Sequence, residues 1–252
     1  MTWSTPWDEA AYGDLMETLR VGAAFPDPPF NGMPDDGGLD IDLMTAIAKS
    51  LGATVEFIGY EGADFNGIFD ALRAGAFDCV AAGTTVTPGP ERKAAFVPPY
   101  VISGQSLAVD TNRLPRVRSV DDLDGLTIGV QRGNTSQPIA ERLVAEGKAA
   151  RVRVYDYGVV RSAMTDLTTG ACDAFIKLAP VLTELVKPVP GVEVVQRGIS
   201  VENIAIAVAP TDQVLLGRLT VAQAELEGDG TLQRIRRKWL GNPYADQNVA
   251  VH

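Results

Sequence analysis

A polar turn at residues 133–136, with the sequence Gly-Asn-Thr-Ser, stands between a predicted strand and a predicted helix. Pro138 falls in the first turn of that helix, where a backbone N–H is not needed. The free N–H groups and the dipole at a helix N-terminus attract an anion such as a carboxylate. Thr135 or Ser136 can instead cap the helix, a role that is compatible with binding. We therefore take Asn134, Thr135 and Ser136 as candidate anion-binding residues.

Two basic side chains, Arg132 and Lys177, stand at the ends of predicted strands. Open α/β sheets usually bind ligands in a cleft beyond the carboxyl ends of their strands. If both side chains face such a cleft, the preferred solute is an anion, or an acid without a free α-ammonium. The alternatives are a neutral polar solute, or two side chains that are simply solvated at strand ends.

The scarcity of histidine and cysteine excludes several kinds of catalytic and metal site. The one histidine, His252, is the last residue, so a Ser/His/Asp or Cys/His triad is not expected. The two cysteines, Cys79 and Cys172, are too few for a zinc site of the Cys/His type. Each stands beside an aspartate at the start of an apolar run, so we expect buried free thiols rather than a disulfide. We expect no metal and no cofactor.

The charge balance and the hydropathy pattern exclude further classes of protein. The 252 residues include 22 Lys and Arg against 32 Asp and Glu, a formal net charge of −10. Nucleic acids and anionic membranes need clustered cations, so neither is expected as the main partner. No apolar run reaches the roughly 18 residues that span a bilayer. The first 25 residues lack the basic and apolar regions of a secretory signal. Either a signal has been removed, or the protein is not exported by that route.

Short apolar runs alternate with helical patterns along the whole chain, and this alternation predicts an α/β protein with parallel sheets. The predicted strands are 20–23, 54–58, 79–82, 107–109, 127–130, 152–155, 174–178 and 204–208. The predicted helices are 8–19, 43–51, 67–74, 138–146, 160–168, 181–186, 213–227 and 231–240.

Two of the predicted helix–strand junctions form a weak internal repeat, at residues 72–80 and 167–175. Leu, Gly and Asp recur in them at a fixed offset of 95 residues. In each copy a helix ends at glycine and the chain enters a buried strand through aspartate. The similarity is either chance or the mark of two lobes of like topology. No low-complexity linker separates the two copies, so such lobes would be joined by short crossing strands.

Ten short motifs follow one another between residues 19 and 241 in a specific order. They are Leu-Arg-Val-Gly at 19–22, Pro-Pro-Phe at 28–30, Gly-Leu-Asp-Ile-Asp-Leu at 38–43, Phe-Asp at 77–78, Thr-Val-Thr-Pro at 85–88, Leu-Asp-Gly-Leu-Thr-Ile-Gly-Val at 123–130, Gly-Asn-Thr-Ser at 133–136, Gly-Ala-Cys-Asp-Ala at 170–174, Gly-Asp-Gly-Thr at 228–231 and Lys-Trp-Leu-Gly at 238–241. This series resembles the polar amino-acid type (family 3) of periplasmic solute-binding proteins that serve ABC importers.

The resemblance implies a two-lobed periplasmic-binding-protein fold of type II, an α/β fold in which two hinge strands join the lobes. Each lobe is expected to be a mainly parallel sheet flanked by helices. We expect residues 1–104 and 205–252 to form the first lobe, which includes an N-terminal helical extension. Residues 105–204 are expected to form the second lobe.

The resemblance also implies a function. We expect an extracytoplasmic receptor that closes its lobes on a small polar solute, either an amino acid or a related compound that can be anionic. The receptor would deliver that solute to a membrane ABC permease. A monomer is expected, located in the periplasm or held outside the membrane by a lipid anchor.

Two alternatives share this fold: an enzyme similar to cyclohexadienyl dehydratases, and a stand-alone ligand-sensing module. A dehydratase needs a carboxylic acid in the cleft to protonate the departing hydroxyl. The position that we align with this acid is Val181, and the nearest acids by sequence, Glu61 and Asp64, are not in the expected place. We therefore expect no enzyme.

The resemblance assigns ligand-binding roles to residues of the first half. It implies that Phe65 stacks on the apolar part of the ligand, with Phe30 near the same wall. Without the family, both would be predicted core residues. It further implies that hydroxyls and carbonyls following the strand at 79–82 hold the ligand's ammonium; these belong to Gly83, Thr84, Thr85 and Thr87.

Two positions depart from the family pattern. The arginine that clamps the ligand's carboxylate in relatives is replaced by Pro90, and Arg92 follows two residues later. The acid that pairs with the ligand's ammonium is replaced by Leu178, which follows Lys177. We retain Arg92 and Leu178 as candidate site positions, with Arg132 and Lys177 as cations that could compensate.

Overall fold

The computed structural model describes residues 18–32, 36–87 and 93–241, and places most of them around two five-stranded sheets. The strands are β1 (Thr18–Ala23), β2 (Thr54–Gly59), β3 (Cys79–Val80), β4 (Ala95–Phe96), β5 (Val101–Ser103), β6 (Gln105–Asp110), β7 (Thr127–Gln131), β8 (Arg151–Tyr155), β9 (Ala174–Leu178), β10 (Val192–Gln196), β11 (Glu202–Ile204) and β12 (Ala207–Val208). The helices are α1 (Leu39–Ser50), α2 (Gly67–Arg73), α3 (Ser136–Ala145), α4 (Ser162–Thr169), α5 (Ala179–Val186), α6 (Gln213–Gly228) and α7 (Thr231–Leu240).

The two sheets define two lobes. The sheet of the first lobe has the strand order β2-β1-β3-β12-β4, and that of the second has the order β10-β6-β9-β7-β8. Helices α1, α6 and α7 pack together on the first lobe, whereas α3, α4 and α5 contact strands of the second. Between the sheets the chain runs through a separate antiparallel pair, β5 and β11. This is the two-lobed α/β fold expected from the sequence, while the exact boundaries at residues 104 and 205 remain a prediction.

The sheets are mixed rather than mainly parallel. The pairs β1–β2 and β1–β3 are parallel, as are β7–β8 and β7–β9. Strand β12 runs antiparallel to both of its neighbours, and β6 does the same in the second lobe. The reason is that β6 and β12 are the strands by which the chain enters each lobe from the other one, so they arrive without a βαβ crossover.

The internal repeat is present in three dimensions. The units β1–α1–β2–α2–β3 and β7–α3–β8–α4–β9 place their strands in the equivalent orders β2-β1-β3 and β8-β7-β9. Asp78 accepts a bond from the backbone N–H of Arg20 at 2.8 Å, and Asp173 accepts one from Thr127 N–H at 2.9 Å. In return, the backbone N–H of Asp78 donates to the carbonyl of Arg20 at 2.9 Å, and that of Asp173 donates to the carbonyl of Thr127 at 3.1 Å. The aspartates thus fix the first strand of each unit beside the third.

Some predicted elements differ from the structure. Most of the predicted helix at 8–19 lies outside the described residues, and its last two residues, Thr18 and Leu19, belong to β1. The predicted strand at 204–208 is divided between β11 and β12, because the N–H of Ala205 bonds to the carbonyl of Thr84 between them. Strands β4, β5 and β10 were not predicted; the first two have only two and three residues. Both cysteines are buried free thiols, as expected.

Candidate functional site

The loops beyond the carboxyl ends of the two sheets meet across a cleft. The N–H of Tyr157, in the second lobe, donates to the carbonyl of Ala63 at 3.1 Å, and the N–H of Phe65 approaches the carbonyl of Arg132 at 3.4 Å. The rings of Phe65 and Tyr157 lie 6.2 Å apart, tilted by 48°. Phe65 stands just before α2 and is 8% exposed. The lobes are therefore in contact, and the predicted aromatic Phe65 lies at that contact.

Phe30 occupies a different place from Phe65. It is fully buried in the hydrophobic core of the first lobe with residues of β1 and α1. A Cβ at Gly83 would lie 3.0 Å from its ring, and Gly83 has φ +58. A side chain there would be strained and crowded. Phe30 thus supports the backbone at Gly83, while its expected place near the apolar wall of the ligand stays a prediction.

A buried carboxylate fixes the turn that follows β3. Asp40, in the first turn of α1, accepts hydrogen bonds from the hydroxyl of Tyr100 at 2.6 Å and from Gly83 N–H at 2.8 Å. Burial raises the pKa of Asp40 to about 6, partly offset by these two donors. Thr84 donates its hydroxyl to the carbonyl of Ala205 at 2.7 Å and is 1% exposed. The hydroxyl of Thr84 therefore links this turn to the segment at Ala205. The backbone of Gly83 is positioned by its bond to Asp40.

Glu202 is a buried acid at the contact between the lobes, and it is not among the residues predicted for the site from the sequence. It is 5% exposed and lies at the start of β11. Its carboxylate accepts from Thr85 Oγ1 at 2.6 Å, Gln105 Nε2 at 3.0 Å, Thr135 Oγ1 at 2.9 Å and Ser200 Oγ at 2.9 Å. These donors come from the first lobe, the second lobe and the connection between them. The sequence signal for it is weak: Glu202 is the one charged residue in the run 198–211.

The turn at 133–136 consequently differs from the expected anion site. Thr135 makes no side-chain cap to the helix backbone, and its hydroxyl bonds to the carboxylate of Glu202 instead. The side chain of Asn134 accepts from the N–H and the hydroxyl of Ser136, both at 3.3 Å. The start of α3 thus faces an acid of the chain itself, which disfavours a second carboxylate there.

Both predicted cations have acidic partners. Arg132 is an exposed side chain whose Nε lies 2.6 Å from Asp156. Lys177 is 1% exposed; its Nζ donates to Oε1 of Gln131 at 2.7 Å and lies 3.5 Å from Asp27 Oδ1. Each of the two cations therefore has an acidic partner, and their expected role in compensating for Pro90 and Leu178 stays a prediction.

Of the remaining candidate positions, Leu178 pairs with Gln105 between neighbouring strands of the second sheet. Leu178 is 5% exposed and precedes α5, where Val181 is also buried. Thr87 lines a cavity of about 210 Å³ with Asn66, Phe69 and Lys93. Arg92 and Pro90 lie outside the described residues.

Two buried polar atoms at the contact between the lobes have no hydrogen-bond partner in the described part of the chain. They are Oε1 of Gln105, in a fully buried residue, and the hydroxyl of Tyr157, in a residue 7% exposed. Because the amide nitrogen of Gln105 donates to Glu202 and Thr135, its oxygen is fixed as an acceptor. Buried polar atoms are rarely left unpaired. Gln105 therefore offers an acceptor, and Tyr157 a hydroxyl, to a molecule held between the lobes.

Comparison with known proteins agrees with this geometry. The family model of bacterial extracellular solute-binding proteins, family 3, matches residues 19–242. ABC transporter arginine-binding protein 1 of Escherichia coli (strain K12) is 27% identical over 237 residues, which cover 89% of this chain and 91% of that protein.

Solved structures show the same similarity. An ancestral arginine-binding protein bound to arginine is 35% identical, with a TM-score of 0.80, over 90% of this chain and 100% of that chain. An ancestral amino acid-binding protein, described as a precursor of cyclohexadienyl dehydratase, is 32% identical, with a TM-score of 0.77, over 88% of this chain and 95% of that chain.

Proposed function

Since the chain belongs to the bacterial extracellular solute-binding proteins of family 3, we propose that this solute-binding receptor captures an amino acid or a closely related compound between its lobes. It then hands the solute to a membrane ABC permease. We place the protein outside the cytoplasmic membrane, in the periplasm or on a lipid anchor, and infer that it acts as a monomer without nucleic acid.

The observation that carries the proposal is a pair of buried atoms at the contact between the lobes, Oε1 of Gln105 and the hydroxyl of Tyr157, which have no partner among the residues that the structure describes. Phe65 packs beside that hydroxyl and supplies an apolar wall. The site proposed for the solute comprises Phe65, Gly83, Thr85, Thr87, Arg92, Asn134, Thr135 and Lys177, to which Gln105, Tyr157 and Glu202 are added.

The groups near α3 favour a donor on the solute rather than an acceptor. The carboxylate of Glu202 and Oε1 of Gln105 are both acceptors. They are close together, because the side-chain amide that carries this oxygen donates from its nitrogen to Glu202. An α-ammonium group has three N–H donors and a positive charge, so it suits such a pair. We therefore orient the ammonium end of an amino acid toward Gln105 and Glu202.

A thermal-shift screen tests the proposal. The purified chain is heated with amino acids, keto acids, dicarboxylates and polyamines, one at a time. A solute that binds only the folded state adds about 2.7 kcal/mol to the free energy of unfolding at 100 times its Kd. We expect at least one amino acid to raise the melting temperature.

A matched pair of variants controls the screen. Tyr157→Phe removes the unpartnered hydroxyl and is expected to weaken the binding of that amino acid. Tyr155→Phe removes a hydroxyl that bonds to Asp166 at 2.7 Å within the second lobe, so it should leave solute affinity unchanged. If no compound shifts the melting temperature and none co-purifies, the receptor proposal fails.

The likeness to a precursor of cyclohexadienyl dehydratase makes catalysis the second candidate, and we propose that the chain is not such an enzyme. The position expected for the catalytic acid is Val181, which is buried and apolar. Asp64 is exposed and its carboxylate accepts the N–H of Asn66. Release of phenylpyruvate from prephenate would contradict this proposal.

A further inference from the structure

Lys177 is a buried cation at the contact between the lobes. It is 1% exposed, and its Nζ lies 2.7 Å from Gln131 Oε1 and 3.5 Å from Asp27 Oδ1. Gln131 ends β7 in the second lobe, whereas Asp27 follows β1 in the first. The ion pair therefore crosses the cleft in which the solute is proposed to bind.

Asp27 is held firmly in place to receive this cation. Its backbone and that of Asn31 exchange two hydrogen bonds, at 2.6 and 3.1 Å. The residue is 8% exposed. Burial raises the pKa of its carboxyl, while the positive charges of Lys177 and Arg161 lower it. The buried carboxylate of Asp27 is thus paired with the ammonium of Lys177, and the charge of Arg161 acts on it as well.

A further positive charge at this position would lie near the charges of both Lys177 and Arg161, which already act on Asp27. Two cations close together in a buried cleft repel each other strongly, because little water is present to screen them. A neutral side chain avoids this repulsion. It can use the hydroxyl of Tyr157, which has no hydrogen-bond partner among the described residues.

We propose that Lys177 is a built-in counter-cation: it occupies the place beside Asp27 that a guanidinium or ammonium side chain would take, so the receptor selects amino acids with neutral side chains over cationic ones. This inference rests on the proposed function, since it requires an amino acid in the same cleft.

Calorimetric titration with L-arginine and L-glutamine tests this selectivity. The two compounds share the α-amino-acid group and differ in side-chain charge. The wild-type chain is expected to bind L-glutamine at least about tenfold more tightly than L-arginine. In Lys177→Met, Asp27 loses its partner and becomes available to a guanidinium, so affinity for L-arginine should rise about tenfold or more.

Three further variants make the result specific. Asp27→Asn combined with Lys177→Met removes both charges, and the gain for L-arginine should disappear. Lys187→Met removes an exposed lysine of the second lobe and should leave both affinities unchanged. Lys177→Gln keeps a hydrogen-bonding group beside Asp27, so it supplies the comparison if the methionine variant does not fold.

The inference is overturned if wild-type protein binds L-arginine as tightly as L-glutamine. It is equally overturned if folded Lys177→Met or Lys177→Gln shows no gain for L-arginine, whatever the result with L-glutamine. Failure of the proposed function is seen separately, as the absence of any binding compound in the broad thermal-shift screen.

Discussion

At the scale of single residues, Glu202 has a function that its sequence context barely indicates. Its carboxylate gathers hydroxyl and amide donors from Thr85, Gln105, Thr135 and Ser200. Two of these, Thr85 and Thr135, were predicted to contact the ligand directly. Glu202 therefore sets the direction in which both hydroxyls point, and it makes the start of α3 an acceptor-rich surface rather than an anion site.

Replacing Glu202 by alanine should destabilise the protein, because the donors around it would lose a buried acceptor. We expect the free energy of unfolding to fall by about 1–3 kcal/mol, measured by urea unfolding. Glu193→Ala serves as the control, since Glu193 is an exposed residue of β10. A loss for Glu202→Ala no larger than the roughly 0.5 kcal/mol of an ordinary surface substitution would contradict the network.

At the scale of secondary-structure elements, the fold repeats one arrangement twice. In each lobe a helix ends at a glycine of positive φ, Gly75 (+78) or Gly170 (+83), and an aspartate then joins two parallel strands. Asp78 and Asp173 make the same two bonds to the first strand of their units. The offset of 95 residues in the sequence is therefore a repeat of hydrogen bonding and of topology.

Asp78→Ala and Asp173→Ala are expected to cost similar amounts of stability, because each leaves a strand N–H without its acceptor. For either variant we expect the free energy of unfolding to fall by about 1–3 kcal/mol. Chemical denaturation measures this loss. The ion pairs to Arg20 and Arg113 are partly exposed and add little. Asp124→Ala, at an exposed position, provides the control. Strongly unequal losses at the two aspartates would argue against equivalent roles.

At the scale of the whole molecule, a few contacts hold the lobes together across the cleft. They include the ring pair Phe65–Tyr157, the ion pair Asp27–Lys177 and the backbone bond from Tyr157 to Ala63. A buried ion pair contributes little net stability on its own. The aromatic contact, which also shapes the proposed site, is therefore the better candidate for favouring closure.

Substitutions at two equally exposed phenylalanines, Phe65 and Phe69, distinguish an effect on closure of the lobes from an effect on stability. Phe65 and Phe69 are both 8% exposed, but Phe65 faces Tyr157 of the other lobe, whereas Phe69 packs edge-on against Phe96 of its own lobe. Phe69→Ala should lower the free energy of unfolding by about 3 kcal/mol and leave the relation between the lobes unchanged. Phe65→Ala should enlarge the radius of gyration measured by small-angle X-ray scattering. An equal radius for both variants would contradict this account of closure.

The alternation of strands and helices, the two lobes, the family and the buried free thiols could all be predicted from the sequence. These features depend on local patterns: hydrophobic periodicity, helix-ending glycines and ordered short motifs. The family resemblance also implies a role for Phe65, which lies at the contact between the lobes; its contact with a solute stays a prediction.

The polarity of the cleft, in contrast, depends on contacts between residues that lie far apart in the chain. Lys177 looked like a free cation, yet Asp27, 150 positions earlier in the chain, is its partner across the lobes. Thr135 looked like part of an anion site, yet it bonds to Glu202. In both cases the partner lies far away along the chain, and a buried charge is defined by what surrounds it in space. Sequence spacing does not contain that information.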